Sequence, residues 1–477
     1  MSSVELRRPT RRGATARTST SEVSAASGAK EAQVQSQRDY VLRTVEERGI
    51  RFVQLWFTDV LGTSKAFNIT PAELEDALDD GMTFDGSAID GFSRVQEADV
   101  LARPDPKTFQ VLPWHARDEA VAAVYCDIFN LDGTPFEGCP RHALRRTLER
   151  ARDAGYTFFI APEVEFFYLA DGDPSARPRP LDAGSYFDLS VDDRSSEVRR
   201  RTVLRLEEMG IPVEHAQHED APSQHEIDLR YTDALTMADT VMTVRLVVKE
   251  TARHEGLYAT FMPKPIAGVQ GSGMHTHLSL WHGERNAFSD PSDAYGLSDV
   301  AKRFIAGLLH HAREITAVTN QWVNSYKRLV SGYEAPVHIG WARNNRSALV
   351  RVPVVKQARA ESTRVEYRAP DSACNPYLAF AVVLAAGLQG VEQGYELPPE
   401  ADANLFDLSE RELRTRGIRP LPGSLKEAVD EMAESKLLTD TLGEHVFEWF
   451  IRNKRAEWRD YSVAVTQFEL DRYLPSL

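Results

Sequence analysis

Ala161–Phe167 reads APEVEFF, in which two acidic residues stand within a run of aromatic and aliphatic side chains. This run predicts a buried β-strand, and on a strand Glu163 and Glu165, two positions apart, leave the same face. Neighbouring carboxylates in an apolar strand are costly unless a cation neutralises them. Oxygen ligands favour a hard divalent cation such as Mg²⁺ or Mn²⁺. From this stretch alone, a strand with one solvated acidic face remains an equal alternative.

The composition narrows the class of protein. The chain has 477 residues, which suits two or three domains or one large elaborated domain, and its charged fraction of 27% is typical of globular proteins. A net charge of −15 argues against nucleic acid and anionic membranes as partners. The 3 cysteines form no close pairing pattern, which argues against a disulfide framework and indicates a reducing, cytoplasmic location. No apolar run is long enough to predict a membrane span.

The N-terminal segment differs from the rest of the chain. Residues 1–37 are rich in Ser, Thr, Ala and Arg and lack apolar periodicity, so we predict a disordered tail. Strand-like and helical segments over about ninety residues, from Arg38 to Asp127, predict a small α+β domain.

Four strand-like segments present acids or histidines on one face. One such segment is weak evidence, but four within apolar sequence are hard to explain as solvated faces. If these strands line one cavity, they supply enough ligands for two metal ions of the Mg²⁺ or Mn²⁺ type. The residues concerned are Glu163, Glu165, Glu214, Glu219, Glu226, His275, His277, Ser279 and Glu366.

A second group consists of arginines between residues 328 and 368. Several lie in apolar strand sequence, where an unpaired guanidinium is costly. Two roles are open to them, namely pairing with the acids above or binding phosphate and carboxylate groups. Metal ions together with arginines in a cavity point to phosphoryl chemistry, although the chain has neither a P-loop nor a GxGxxG motif. The arginines are Arg328, Arg346, Arg351, Arg364 and Arg368.

Eight motifs of the chain are specific when taken together, namely FDGSAIDGF (84–92), APEVEFF (161–167), HEDAPSQHEID (218–228), FMPKP (261–265), GSGMHTHLS (271–279), NSYKRLVSGYEAP (324–336), NRSALVRVP (345–353) and RVEYRAPDSACNPY (364–377). On these motifs, the sequence from about Arg38 to the C-terminus closely resembles glutamine synthetase of the bacterial type I class. It is most similar to the additional actinobacterial paralogues, some of which are γ-glutamylpolyamine synthetases.

The resemblance implies an α+β fold, with a β-grasp domain over residues 38–135 and a catalytic domain over 136–477 built on an antiparallel sheet with surrounding helices. It implies a homo-oligomer, a dodecamer of two stacked hexameric rings, whose active sites lie between neighbouring subunits. It also implies a two-step reaction. ATP phosphorylates the γ-carboxylate of glutamate, and an amine then displaces phosphate.

The resemblance further assigns roles to particular residues. The metal ligands would be Glu165, Glu219 and Glu226 for one ion and Glu163, His275 and Glu366 for the other. The nucleotide site would contain Glu214, Tyr231, His277, Ser279 and Arg351. Glutamate and the transferring phosphoryl group would contact Gln270, Gly271, Arg328, Arg346 and Arg368. Glu334 would be an acid on a flap, Asp85 would deprotonate ammonium, and Asp99 and Tyr186 would complete the ammonium pocket.

Three positions depart from the family pattern. Ala88 replaces a serine near the ammonium site, Gln270 replaces an asparagine of the glutamate loop, and Phe406 replaces the tyrosine that regulated members adenylylate. We therefore expect no adenylylation there. A lost hydrogen bond at Ala88 would weaken ammonium binding and leave room for a larger amine. By the resemblance, however, Asp85, Glu219 and Tyr186 retain most of an ammonium site, so ammonia is the favoured acceptor and a polyamine the alternative. An inactive regulatory paralogue is a third, weaker hypothesis.

Overall fold

The computed structural model describes residues 20–90, 99–189, 194–354 and 361–477, with side chains described from Val34 onward apart from residue 117. It has an N-terminal part built on a 6-stranded sheet and a larger part built on a 10-stranded sheet. Helices and strands are therefore both abundant, and the predicted α+β class is confirmed.

The first helix corrects the prediction of a disordered tail. Helix α1 spans Thr20–Arg48, so residues 20–37 are helical, while residues 1–19 lie outside the described residues. Val41 and Val45 anchor its C-terminal half in the core. Once one helical turn is fixed by packing, adding further turns costs little free energy. The preceding segment can therefore continue the helix through its Ala, Glu, Lys and Gln residues, which favour helix, although it has no apolar stripe to bury.

The N-terminal sheet has the strand order β2-β1-β6-β4-β3, with β5 paired to β6. Strands β1 and β6 are parallel and the other neighbours are antiparallel. The elements are β1 (Phe52–Thr58), β2 (Ser64–Ile69), α2 (Leu74–Asp79), β3 (Met82–Asp85), β4 (Asp99–Pro104), β5 (Gln110–Val111) and β6 (Val121–Asn130).

The larger part alternates strands and helices. Its strands are β7 (Thr157–Leu169), β8 (Val213–His218), β9 (Gln224–Leu229), β10 (Thr232–Asp233), β11 (Tyr258–Thr260), β12 (Met274–His282), β13 (Arg285–Asn286), β14 (His338–Ala342), β15 (Ala348–Arg351) and β16 (Val365–Tyr367). Its helices are α3 (Pro140–Asp153), α4 (Arg194–Glu208), α5 (Ala234–His254), α6 (Asp299–Thr319), α7 (Ser325–Arg328), α8 (Pro376–Gln393), α9 (Glu410–Thr415), α10 (Leu425–Ala433), α11 (Lys436–Leu442), α12 (Glu444–Val463) and α13 (Gln467–Tyr473).

The main path of the large sheet runs β14-β15-β16-β12-β7-β9-β8. Its pairings are antiparallel except for β14 and β15, which are parallel, so the sheet is not wholly antiparallel as the resemblance implied. On the central strand β7, Phe158, Ile160 and Val164 are buried in the main core. The opposite face of the same strand carries Glu163 and Glu165, because side chains alternate along a strand.

Two helices of the core pack unusually closely. A Cβ atom at Gly307 of α6 would lie 2.2 Å from the backbone oxygen of Ala386, and one at Gly390 of α8 would lie 2.1 Å from that of Arg303. Only glycine permits this approach. Although α8 is almost wholly apolar, neither it nor any other helix among the described residues is long and apolar enough to cross a membrane.

Candidate active site

The register of the large sheet lays the predicted acids and histidines side by side. His275 of β12 is paired with Glu163 of β7, and Glu165 is paired with Glu226 of β9. On the other side of β12, His277 is paired with Glu366 of β16. Residues that are far apart in the chain therefore share one face across four adjacent strands.

Glu163, His275 and Glu366 offer ligand atoms that all lie within 4.8 Å of one another. His275 Nδ1 is 3.1 Å from Glu163 Oε2 and 3.9 Å from Glu366 Oε1. Burial by itself would raise the pKa of Glu163, but hydrogen bonds with His275 and His277 outweigh it and hold that pKa well below its usual range. The cluster is thus an anionic pocket with one imidazole nitrogen.

Glu165, Glu219 and Glu226 form the adjoining half of the site, and all three are buried. Glu165 Oε2 accepts hydrogen bonds from Gln224 Nε2 (2.9 Å) and from the backbone nitrogen of Gly273 (2.8 Å). Burial and the charge of Glu165 raise the pKa of Glu219 to about 8 and that of Glu226 well above its usual value. Three carboxyl groups are therefore crowded together with too little positive charge around them.

This donor set fits divalent cations. Five carboxylates and one imidazole are the ligands that Mg²⁺ and Mn²⁺ accept, whereas thiolates, the mark of a soft site, are absent from the set. A divalent ion beside the crowded acids would remove the repulsion that raises the pKa values of Glu219 and Glu226. The residues present therefore suit the metals that the sequence predicted.

Two of the predicted phosphate-binding arginines contact Glu366. Its side chain is fully buried and accepts hydrogen bonds from Arg351 Nε and, at 2.6 Å, from Arg368 Nη1. Burial would raise the pKa of Glu366, but the charge of Arg368 lowers it overall. The sequence left two roles open for these arginines. In this structure Arg351 and Arg368 take the first of them, because both pair with an acid.

A cleft of about 600 Å³ adjoins Glu163 on the same face of the sheet. Of the residues predicted to bind nucleotide, Glu214, Tyr231, His277 and Ser279 line it, and Arg351 does not. Phe159 and Trp281 also line this cleft, with ring centroids 5.8 Å apart. The sequence analysis missed these two aromatic residues, although the alternation of a strand pointed to them: Trp281 stands two positions from Ser279, and Phe159 stands four positions from Glu163.

The loop before β12 is built for close backbone contact. A Cβ atom at Gly271 would lie 2.1 Å from the backbone oxygen of Pro263, so only glycine fits. Arg328 is buried beside it, and its Nη1 donates to the backbone oxygens of Ala369 (2.7 Å) and Pro370 (3.2 Å). Gln270 is partly buried at the start of this loop. Of the residues predicted to contact glutamate, Gly271 and Arg328 are therefore adjacent.

A separate loop brings Glu334 to the site. Glu334 has a positive φ of 55°, an uncommon conformation for a non-glycine residue and one that is frequent in functional loops. Its Oε1 lies 3.3 Å from Arg346 Nη1, and its backbone oxygen accepts from Arg368 Nη2 at 3.3 Å. The guanidinium of Arg346 is 6.0 Å from the centre of the Tyr186 ring. Glu334, Arg346 and Tyr186 thus lie together at the exposed mouth of the site.

Asp85 and Asp99 lie in the other sheet. They face one another across β3 and β4, and Asp85 accepts hydrogen bonds from the backbone nitrogen (2.9 Å) and hydroxyl (2.8 Å) of Ser87. Ala88 follows in the same short 3₁₀ turn and is exposed. Both acids therefore belong to the small N-terminal part, whereas the other predicted site residues belong to the large one.

Comparison with known proteins agrees with this arrangement. The glutamine synthetase β-grasp domain matches residues 49–131, and the glutamine synthetase catalytic domain matches residues 137–473. The chain is 56% identical to glutamine synthetase of Mycolicibacterium smegmatis over 92% of this chain and 99% of that one. It is 48% identical to glutamine synthetase of Thermotoga maritima over 91% and 98% of the respective chains.

A solved structure described as a GmaS/ADP complex has a TM-score of 0.82 and 35% identity over 91% of this chain and 99% of that chain. The matching domains span most of the sequence, and the relatives are matched over nearly their whole length. The chain therefore belongs to the glutamine synthetase family and is a ligase that uses ATP to join glutamate to a nitrogen acceptor.

Proposed function

We propose that this protein phosphorylates the γ-carboxylate of L-glutamate with ATP and condenses the product with ammonia, releasing L-glutamine, ADP and phosphate. The observation that carries the proposal is the shared face of β7, β9, β12 and β16. It presents acids, histidines and arginines beside a cleft of about 600 Å³. Acyl phosphate formation needs this combination of positive charge and enclosure.

We assign two divalent ions, Mg²⁺ or Mn²⁺, to the acidic half of the site. Glu163, His275 and Glu366 would hold one, and Glu165, Glu219 and Glu226 the other. When bound, the ions supply positive charge that neutralises the phosphates of ATP. In the metal-bound protein we expect Glu366 to bind metal as well as arginine, because a carboxylate has enough lone pairs for both.

The remaining residues position the reactants. Glu214, Tyr231, His277, Ser279 and Arg351 would bind ATP, with Phe159 and Trp281 adding apolar surface for its base. Gln270, Gly271, Arg328, Arg346 and Arg368 would hold glutamate and the transferring phosphoryl group.

The acceptor would be handled at the mouth of the site. Glu334 would cover the acyl phosphate, exclude water and accept the proton that the attached nitrogen loses as phosphate leaves. Asp85 would remove a proton from the nitrogen of ammonium, with Asp99 and Tyr186 forming the rest of the pocket. Removing that proton exposes the lone pair that attacks the acyl carbon.

We further propose that the site is completed between subunits of a cytoplasmic homo-oligomer, a dodecamer of two hexameric rings. Asp85 and Asp99 lie in the small N-terminal sheet, and a neighbouring copy could present them to the large sheet. The domain limits of 38–135 and 136–477 remain our proposal for where the two parts divide.

A larger amine is the second candidate acceptor. Ala88 offers no hydroxyl to a small cation, and Tyr186, which we assign to the same pocket, is 40% exposed, so a polyamine such as putrescine or spermidine could enter. An inactive regulatory paralogue is disfavoured, because each proposed metal position carries a residue able to bind metal.

Phosphate release with ATP, Mg²⁺ and glutamate tests the proposal, with ammonium, putrescine, spermidine and small monoamines as acceptors. We expect turnover with ammonium that requires glutamate. Turnover only with a polyamine would establish the alternative, and release with none of these acceptors would overturn both.

A further inference from the structure

The loop that carries Tyr186 is fastened to the hairpin that carries Glu219. We call residues 181–189 the acceptor loop. The backbone nitrogen of Leu181 donates to Ser223 Oγ (2.5 Å), and that of Phe187 donates to the backbone oxygen of His218 (3.1 Å). Three separate points of the loop contact this hairpin, since Ser185 Oγ also donates to Asp220 Oδ1 at 3.1 Å.

Asp182 is the centre of this attachment. Its Oδ1 accepts from the backbone nitrogens of Ser223 (2.8 Å) and Gly184 (3.0 Å) and lies 3.0 Å from His218 Nε2. Its Oδ2 accepts from Ser195 Oγ at 3.0 Å. One carboxylate therefore ties together the acceptor loop, the hairpin and the start of α4. Charge-assisted hydrogen bonds of this kind are stronger and shorter than neutral ones.

The packing around Asp182 leaves little freedom. A Cβ atom at Gly184 would lie 2.6 Å from His218 Nε2, so the loop backbone rests directly on the imidazole. Phe187 and Ser223 both adopt positive φ values, 61° and 64°. Non-glycine residues hold this conformation only where surrounding contacts impose it. The loop and the hairpin therefore constrain one another.

Asp182 and His218, with the buried His225, also have the composition of a metal site. Arg199 argues against that interpretation, because its Nη1 lies 2.5 Å from His225 Nδ1. A guanidinium donates to this nitrogen, so the proton of the neutral imidazole stays on Nε2 and neither nitrogen has a lone pair for a metal. A fixed positive charge beside the cluster also repels a cation. The cluster is better explained as a hydrogen-bonded support.

This support lies next to both sides of the proposed acceptor pocket. His218 immediately precedes Glu219, and the loop residue bonded to the His218 backbone, Phe187, immediately follows Tyr186. The position of the Tyr186 ring relative to Glu219 is thus set through adjacent residues on each side. A small change in this attachment would alter the width of the pocket.

We propose that Asp182 is a positioning residue that fixes Tyr186 relative to Glu219 and so sets the fit of the incoming amine. This inference rests on the proposed ligase function. It assigns Asp182 no contact with the substrate, and its main effect falls on the acceptor. The residues assigned to ATP and glutamate, and five of the six assigned to metal, lie outside the acceptor loop and outside the turn that carries Glu219, so Asp182 reaches the metal site only through Glu219.

The test compares Asp182→Asn with the wild type in the full-length protein. The amide keeps the shape but loses the charge, so we expect the KM for the acceptor used by the wild type to rise about tenfold. The KM values for ATP and glutamate should change less than about twofold, and the Kd for Mn²⁺, which depends on Glu219 for one proposed ligand, should change less than the acceptor KM. Ser185→Ala, which removes one exposed contact of the same loop, should raise the acceptor KM about threefold.

Asp173→Asn is the matched control. Asp173 lies in an exposed turn that precedes the acceptor loop, where it accepts hydrogen bonds from Ser175. The Asp173→Asn variant should leave the KM values for acceptor, ATP and glutamate and the Kd for Mn²⁺ unchanged. Hydrogen exchange of residues 183–189, measured without substrates, provides a readout independent of turnover, and Asp182→Asn should accelerate it about tenfold.

Unchanged exchange and an unchanged acceptor KM in Asp182→Asn would overturn the proposal. A parallel loss of affinity for ATP, glutamate, metal and acceptor would also overturn it, since that pattern means general disruption. If Asp182→Asn does not fold, Ser185→Ala decides by the same criteria. If the wild type uses no amine, the ligase proposal fails, whereas accelerated exchange alone would still establish the attachment of the loop.

Discussion

Substituting Glu366 tests whether this residue is a metal ligand or only the ion-pair partner of two arginines. Its carboxylate is fully buried, contacts Arg351 and Arg368, and has His275 Nδ1 3.9 Å away. Either interpretation explains why the group is present. Glu366→Gln keeps the volume and removes the charge, so both interactions weaken, but only a metal ligand makes the loss depend on metal.

The structure gives the size of each effect. Removing the acid leaves the buried guanidinium of Arg368 uncompensated, and breaking such a pair costs about 3–5 kcal/mol of unfolding free energy. The stabilisation that bound metal gives to the folded protein should also differ between the wild type and Glu366→Gln. An ion at 100 times its Kd stabilises the folded protein by about 2.7 kcal/mol. If the lost ligand weakens binding about 100-fold, the same concentration adds only about 0.4 kcal/mol.

The assay is urea unfolding with and without Mn²⁺, combined with calorimetric titration of Mn²⁺. The matched control is Glu392→Gln, which removes an exposed acid paired with Arg150 at 2.5 Å. Its loss should cost less than about 1 kcal/mol and leave the stabilisation by Mn²⁺ intact. We also expect Glu366→Gln to stop glutamate-dependent phosphate release.

A destabilised Glu366→Gln protein that keeps the full stabilisation by Mn²⁺ and binds as many ions as the wild type would refute the metal assignment. Glu366 would then be only a partner of the two arginines. Loss of the Mn²⁺ effect in Glu392→Gln would show that the assay reports general instability instead.

Three further outcomes follow from the same site. Ala88→Ser should lower the KM for ammonium relative to that for larger amines by about threefold to tenfold, because it restores a hydroxyl, as acceptor competition would measure. Burial and the charge of Glu219 raise the pKa of Tyr186 to about 12, so Tyr186 stays protonated below about pH 11, and Tyr186→Phe should leave the alkaline limb of the pH–rate profile unmoved. Gly271→Ala should raise the KM for glutamate at least tenfold, because its Cβ would lie 2.1 Å from the Pro263 oxygen and the loop must move.

Each of these has a result that would contradict it. An unchanged ammonium-to-amine ratio would remove Ala88 from the account of specificity. An alkaline limb that shifts in Tyr186→Phe would mean that the phenol ionises during the assay. A normal glutamate KM in Gly271→Ala would place glutamate away from this loop, and Gly423→Ala, where the nearest atom to a Cβ is 3.7 Å away, serves as its control.

Much of the candidate site could be predicted from the sequence, because a strand's alternation fixes which side chains share a face. Glu163 and Glu165 had to leave the same side of β7, as did His275 and His277 on β12. The family motifs then indicated the chemistry. The same alternation contained Phe159, and the omission of this residue came from attending only to polar side chains.

Local composition also predicted disorder for residues 20–37, which are helical in the structure. The helix there continues from a segment held by Val41 and Val45, so its conformation depends on an anchor that composition does not reveal. A local pattern reports the tendency of a segment, whereas the rest of the fold decides whether that tendency is realised.

Local sequence by itself indicated the strands that carry the candidate metal ligands, their polar faces and the family. The tertiary structure decided which strands are neighbours, and therefore that Glu366 pairs with His277 on one side and Arg351 on the other. It also decided that Asp182 reaches His218, 36 positions away. Alternation along a strand is imposed by covalent geometry, whereas the choice of neighbours comes from burying all the apolar faces together, which no single segment specifies.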